Sequence, residues 1–381
     1  MHVVSSQQRL YEIDALRGLS LLGIILMNIL VFSFPYEESL LSDVVQGTDA
    51  ILLHIITLLV IGSFYPIFTF LFGYGLSIMY DNSQMKRINY YPIILRRLIF
   101  LMLMGVLHGF FVFSGDILFG YAFTGIIAVL FIKSKAKRLI KSAIILFILK
   151  IILLVIPFAV FSFVNDPYAR HNFSGVSLTK LIEIKQQGGY IDFLKINAFE
   201  NLYNILDVVT GAAYLEFLPY IFLGMAAQKL KLVKHIQLQR QSAIKWGILC
   251  LIIGYIIKMP FALDFSNSAY QYINIVGGPI VAAGYILIFI AMYQRTRARQ
   301  LLKVFTYPGK LSLTVYLTQS IVMSIIFLGI GFGLYNQLSL YQSYIIALFV
   351  YVLQLIGCYY YLKHFKMGPF EWLWRKITYL K

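Results

Sequence analysis

The stretch DALRGLSLLGIILMNILVFSF, residues 14–34, is apolar almost throughout, with a charged pair at its start and a single amide, Asn28, inside. A bilayer core of about 30 Å is crossed by roughly 20 helical residues. The segment therefore reads as a membrane span, and it sets the scale for everything that follows.

The whole chain has the composition of that segment. Its 381 residues are 60% hydrophobic, 16% aromatic and 13% charged, with a mean hydropathy of +0.79. Soluble domains run near 45–50% apolar and about 25% charged, so a soluble fold is excluded. Further spans fall near 60–80, 97–114, 117–132, 139–163, 208–229, 243–258, 272–293, 311–332 and 342–362. Backbone groups in lipid must be satisfied within the chain. The expectation is an all-α polytopic membrane protein of about ten transmembrane helices, forming one transmembrane domain. Five spans lie in 1–163 and five in 208–362, with an external loop at 164–207 and an interfacial tail at 363–381. The stretch 49–80 is too long for one straight helix. Gly62 and Pro66 break it either into an in-plane helix followed by a crossing, or into two crossings.

Charge predicts the orientation. Of 32 basic residues, 26 fall in segments assigned to one side, including Lys86/Arg87/Arg96/Arg97, the run 133–141, the segment 229–245 and the tail from Lys363. Glu37, Glu38, Asp43 and Asp49 fall on the other side, as do Asp166, Glu183, Asp192, Glu200 and Asp264. The positive side is cytoplasmic, which puts both termini inside and requires an even number of spans. The +16 net charge is thereby a topology signal and a meeting point with anionic lipid; nucleic acid is not among the expected partners. In the external loop, Leu178–Ile184 and Ile191–Leu206 show helical apolar spacing and predict short amphipathic helices. The N-terminus shows no cleavage signature, so the first span is expected to remain as an anchor. Cys250 and Cys358 lie inside spans and read as free, core-like thiols without a disulfide or metal pattern.

Ionisable and amide groups within spans are costly and each needs a reason. Asp14 and Arg17 are i,i+3 and share a helix face, either as a snorkelling Arg beside a helix-start Asp or as an anion site with Arg17 as its receptor. Asn28 lies about 16 Å beyond Arg17 at the helical rise; it either glues helices or joins a site. His108 stands about as far from the outer end of its span as Asn28 does in its own, and Asp116 follows after a short turn. A carboxylate that orients an imidazole is what a general base requires, while the structural alternative is a link between the third and fourth spans. Lys150 and Glu216 lie at similar depth in consecutive spans and predict an ion pair. His54 falls near the outer surface. Ser312, Tyr316, Gln319 and Ser320 recur at helical spacing, so one face of the ninth span is polar and must look inward. The tail carries Glu371 and Arg375 at i,i+4 with two tryptophans, and reads as an interfacial helix along the inner surface. Gly73-Tyr74-Gly75 lies in a span and reads as helix packing, since no nucleotide-binding loop accompanies it.

Several of these segments, in this order, resemble the bacterial YeiB family of multipass membrane proteins. They are Arg9-Leu10 with Asp14-Ala15-Leu16-Arg17-Gly18, Phe68-Thr69-Phe70-Leu71-Phe72-Gly73-Tyr74-Gly75, Arg96-Arg97-Leu98, and His108-Gly109 with Gly115-Asp116-Ile117-Leu118. In the C-terminal half they are Gly309-Lys310-Leu311-Ser312-Leu313-Thr314 with Gln319-Ser320, and Gly368-Pro369-Phe370-Glu371-Trp372-Leu373-Trp374-Arg375. The family has a wider likeness to transmembrane acyltransferases, including heparan-glucosaminide acetyltransferase and the bacterial O-acyltransferases. That likeness implies a protein of the bacterial cytoplasmic membrane that moves an acyl group from cytoplasmic acyl-CoA, such as acetyl-CoA, to an acceptor at the outer face. Arg17 and Arg96 would attract the CoA phosphates, with Asp14, Ser312 and Gln319 beside the donor, and a buried His would act on the acceptor, a glycan or small molecule. No metal is implied. The other expected partners are membrane lipids, with a homodimer left open.

The pattern departs from those enzymes at one point. Where the bacterial O-acyltransferases carry a His eleven residues after the first-span Arg, this chain has Asn28. His54 sits at a different offset before Pro66-Ile67-Phe68-Thr69-Phe70 from the His of heparan-glucosaminide acetyltransferase. His108 with Asp116 is the replacement argued from position. A secondary transporter using Lys150 and Glu216 is the alternative.

Overall fold

The computed structural model describes residues 10–35, 47–166 and 175–380, and these form helices joined by short turns. Arg9, the first-loop acids Glu37, Glu38 and Asp43, and His2 and His171 lie outside the described residues.

The helices are α1 (Tyr11–Ser33), α2 (Thr48–Leu59), α3 (Phe64–Met85), α4 (Tyr90–Phe111), α5 (Leu118–Leu130), α6 (Ala136–Lys150) and α7 (Ile156–Val164). They continue as α8 (Leu178–Gln187), α9 (Tyr190–Thr210), α10 (Ala212–Lys229), α11 (Leu232–Leu238), α12 (Arg240–Leu263) and α13 (Ser268–Tyr293). The last are α14 (Thr296–Leu302), α15 (Thr306–Lys310), α16 (Ser312–Phe327), α17 (Leu340–His364) and α18 (Pro369–Tyr379). Among the described residues seven helical stretches are long and apolar enough to cross a membrane, or up to nine if each of two bent pairs is one span. The bent pairs are α9 with α10, turning by 66°, and the α14–α15 segment with α16, turning by 81°. Leu118–Leu130 is a shorter apolar helix. The segments expected as spans fall on helices, though seven to nine of these rather than ten have the length of a crossing among the described residues, and the protein is an all-helical polytopic membrane protein.

The stretch 48–85 runs as one interrupted 38-residue helix, which excludes two opposed crossings there. Gly62 sits at the interruption with φ +75°, a conformation that a residue with a Cβ adopts only at a cost. The expected amphipathic helices of the external loop are α8 and α9. The second runs on to Thr210, where Gly211 at φ +133° ends it. Between α6 and α7 the chain widens into a π turn, Ile151–Val155, just before Pro157, whose ring cannot donate to an ordinary helical ladder.

With lipid as the outer solvent, large apolar side chains such as Ile148, Ile152, Leu153 and Phe161 face outward, and the polar groups turn in. Helices approach closely where small residues meet. A Cβ on Gly309 would stand 1.7 Å from the Asp14 carbonyl oxygen, and one on Gly18 would stand 1.9 Å from that of Phe305. Thus α1 and α15 cross backbone against backbone, which holds Arg17 beside the start of α16. The same logic seats α3 on α10, where a Cβ on Gly73 would stand 2.1 Å from the Ile221 carbonyl oxygen. Within Gly73-Tyr74-Gly75, Gly73 acts in helix packing, while Gly75 has open space beside it.

Candidate functional site at a one-turn partition

Two cavities enter the bundle from opposite ends of α1 and α4. The first, of about 480 Å³, is lined by Arg17, Arg97, Lys310, Lys366 and Arg375, with Ser312, Leu118, Tyr121 and Tyr316 deeper in. The second, of about 650 Å³, is lined by Lys150, Lys185, Glu200, Asp207 and Glu216, with Asp116, Ile117 and Gly120 at its floor. Leu118 and Tyr121 face one cavity while Asp116, Ile117 and Gly120 face the other. The first turn of α5 is therefore the partition between them.

The partition carries the one ordered His–carboxylate pair of the bundle among the described residues. His108, on the last turn of α4, places Nδ1 2.8 Å from Asp116 Oδ1. A carboxylate can only accept, so Nδ1 carries the proton and donates, leaving Nε2 as the basic nitrogen. That Nε2 is sealed from solvent and has no hydrogen-bond partner among the described residues. Asp116 is held by two further donors: the Phe119 amide reaches Oδ2 at 3.0 Å, capping the start of α5, and the Tyr316 hydroxyl reaches Oδ1 at 3.4 Å. The Tyr316 ring lies 5.2 Å from the imidazole, centroid to centroid. Gly105 makes the approach feasible, because a Cβ there would stand 2.4 Å from the Phe119 amide nitrogen and 2.8 Å from Asp116 Oδ2.

The turn between α4 and α5 is gripped from outside the pair by α9. Asn197 donates through Nδ2 to the carbonyls of Gly109 and Phe110 at 2.7 and 2.8 Å, and accepts from the Ser114 amide at 2.8 Å. Asn204 donates to the carbonyls of Ser114 and Asp116 at 2.9 and 3.3 Å. Ser114 Oγ donates to Glu200, which also pairs with Lys185 at 3.3 Å. The segment 178–210, read from sequence only as amphipathic, is thus a structural support of Asp116.

At the basic end, Arg17 pairs with Asp14 at 3.3 Å and lines the first cavity. Asp14 and Arg17 also line a neighbouring cavity of about 670 Å³ that includes Lys229, Lys231 and Lys234. Of the two adjacent arginines of α4, Arg96 turns to the Thr378 carbonyl at 3.1 Å and fastens α18. Arg97 faces the cavity, with its guanidinium 3.5 Å above the Trp374 ring. Trp374 in turn donates to the Arg97 carbonyl at 3.0 Å. The tail helix is more than an interfacial strip. Glu371 does not pair with Arg375; it accepts from the amides of Leu313 and Thr314 at 2.7 and 3.0 Å and from the Thr314 hydroxyl, capping α16.

Other expected residues fall elsewhere. Asn28 is half-buried in α1 and makes no hydrogen bond to His108. His54 approaches the Ala262 carbonyl and packs on Phe265, away from both cavities. Ser312 lines the basic cavity, and Gln319 is buried one turn beyond Tyr316. Lys150 and Glu216 form an ion pair, joined by hydrogen bonds from Tyr65 to Glu216 and from Lys150 to Tyr220. The reading from sequence passed over Lys258, which is fully buried and donates to the Ile61 carbonyl at 2.8 Å and to Ser63 Oγ at 2.9 Å, across the interruption between α2 and α3. Its position at the end of an expected span disguised it as a boundary charge.

The fold and the site define a multipass membrane protein with polar groups at its centre. A family model described as a protein of unknown function, DUF418, matches residues 227–381. The chain is 28% identical to the uncharacterized protein YxaH of Bacillus subtilis (strain 168), over 98% of this chain and 95% of that protein. It is 28% identical to an uncharacterized 39.9 kDa protein from the amylase 3′ region of Bacillus acidopullulyticus, over 100% and 96%. It is 25% identical to the uncharacterized protein YeiB of Escherichia coli (strain K12), over 97% and 96%. The likeness to YeiB thus runs over nearly the whole chain, and the DUF418 match covers its C-terminal part. No solved structure matches it.

Proposed function

We propose that this protein is a membrane acyltransferase of the bacterial cytoplasmic membrane, passing an acyl group from acyl-CoA at its basic, cytoplasmic end to an acceptor held in the opposite cavity. The observation that carries the reading is the partition itself: a His–Asp pair joining the end of α4 to the start of α5, between a cavity ringed by five cations and a cavity at the other end that carries Glu200, Asp207 and Glu216. Arginine and lysine groups converging on one mouth suit phosphate oxygens, and Tyr316 lines the same cavity.

The chemistry follows from the tautomer. His108 Nε2 takes the proton of an acceptor hydroxyl or amine as that atom attacks the thioester carbonyl. The new bond to the acyl carbon forms, the carbon–sulfur bond breaks, and the CoA thiolate receives the proton from Nε2. Asp116 holds Nδ1–H throughout and stabilises the imidazolium between the two transfers, as a carboxylate does in the Ser-His-Asp arrangement. Because Nε2 is sealed, the Tyr316 ring must move aside for the donor to reach it.

The test is binding of labelled acetyl-CoA to the purified full-length protein. Specific binding weakened by Arg17→Ala or Arg97→Ala is expected, and absence of any binding by calorimetry rejects the reading. A secondary transporter is the second reading, favoured by the buried Lys150–Glu216 pair beside the second cavity. Solute flux in proteoliposomes that Glu216→Gln abolishes and His108→Ala leaves intact would select it instead.

A further inference from the structure

Gln319 is 4% exposed, and neither its amide nitrogen nor its amide oxygen has a hydrogen-bond partner among the described residues. An unpaired amide in a dry interior costs on the order of 1–3 kcal/mol, so such groups need a purpose. It lies seven residues after Ser312, which at 100° per residue returns to within about 20° of the same helix face. Ser312 and Tyr316 line the basic cavity on that face. Gln319 is therefore the next polar group on that side of α16, beyond the residues that line the cavity and about 4.5 Å past Tyr316 along the axis. Tyr316 packs on His108, whose Nε2 is likewise buried and unpaired. Two unsatisfied polar groups thus stand behind the same tyrosine, one a base and the other a neutral N–H donor.

We infer that the Gln319 side-chain amide is the group that receives the carbonyl oxygen of the acyl donor, so that its N–H faces the oxygen on which negative charge develops during transfer. The inference rests on the acyltransferase reading above and adds a residue with a defined role to it. No bond to Gln319 forms or breaks. As the acceptor attacks, the carbonyl oxygen becomes an oxyanion bound by the amide N–H, and collapse of that intermediate expels the CoA thiolate. A preorganised neutral donor in a water-excluded site is suited to this task, because it need not reorient as the charge appears. The carboxamide oxygen of Gln319 remains available to an N–H of the pantetheine arm.

The test compares acetyl-CoA with S-ethyl-CoA, a thioether of the same shape without the carbonyl oxygen, in wild-type protein and in Gln319→Met, which keeps the volume and removes the amide. Wild type is expected to bind acetyl-CoA about fivefold more tightly than S-ethyl-CoA. Gln319→Met should lose that preference, bind S-ethyl-CoA as wild type does, and unfold at the same or a higher temperature. A wild type that binds both ligands equally, or a variant that keeps the preference, overturns the role of Gln319 while leaving the acyltransferase reading standing. A variant that unfolds at lower temperature and loses both ligands alike marks the amide as structural and also overturns it. If wild type binds neither ligand, the underlying acyltransferase reading is what fails.

Discussion

Asp116 and Tyr316 are hydrogen-bonded at 3.4 Å while facing different cavities, the carboxylate toward the polar one and the phenol ring toward the basic one. The contact closes the bundle at one helical turn, and it lies 200 residues apart in sequence. Removing the hydroxyl keeps the ring that shields His108 but releases one of the donors on Asp116. Tyr316→Phe is expected to preserve folding and acyl-CoA binding and to slow transfer roughly tenfold, measured as label transferred per minute in proteoliposomes. Tyr316→Ala, which removes the shield as well, should add slow hydrolysis of the donor by water, read as free CoA released without acceptor.

Asp116→Asn tests the tautomer argument. The amide can still accept from Phe119, so α5 stays capped, but its NH₂ can donate to Nδ1 and leave the proton on Nε2. Transfer is expected to fall by about 10²-fold or more with donor affinity unchanged. Equal activity in the two proteins would argue that the pair is only a brace between α4 and α5.

Gly309→Ala puts a methyl 1.7 Å from the Asp14 carbonyl and 3.0 Å from the Gly18 amide nitrogen. Both obstacles are backbone, so the helices must separate. The expected cost is about 1–3 kcal/mol, seen as a lower unfolding temperature in detergent, together with weaker acetyl-CoA binding as Arg17 shifts.

Glu371→Ala removes three hydrogen bonds from the start of α16. Loss of a helix cap costs about 1 kcal/mol, and here it also removes one of the ties that hold α18, leaving those through Arg96 and Trp374. Faster proteolytic removal of the tail and loss of Arg375 and Trp374 from the cavity should follow, whereas Glu371→Gln, which retains an acceptor, should lie between the two.

Lys150→Met leaves Glu216 without its cation. Breaking a buried pair costs about 3–5 kcal/mol, and the lower end applies because Glu216 opens onto a cavity and is 26% exposed. The double variant Lys150→Met with Glu216→Gln should recover much of the thermal stability. A secondary transporter would lose flux in both.

The membrane class, the helical segments and the helices at 178–187 and 190–210 were legible in the chain itself, because bilayer thickness and the cost of unpaired backbone in lipid act on contiguous segments. The pairing of His108 with Asp116 was legible for a related reason: the two are eight residues apart, joined by a turn too short to separate them. The choice between Arg96 and Arg97 was not. Neighbouring residues on a helix differ by about 100° in direction, and only the docking of α18, fastened by Arg96 and stacked on by Arg97, decides which of them enters a cavity. Lys258 escaped for a similar reason, since its partners are a carbonyl and a hydroxyl near residue 62 rather than a charge with a sequence signature. The partition belongs wholly to the tertiary structure. The cavities on its two sides draw their walls from helices along the whole chain, from α1 to α18, and the burial that makes an amide or an imidazole costly, and hence informative, exists only once those helices pack.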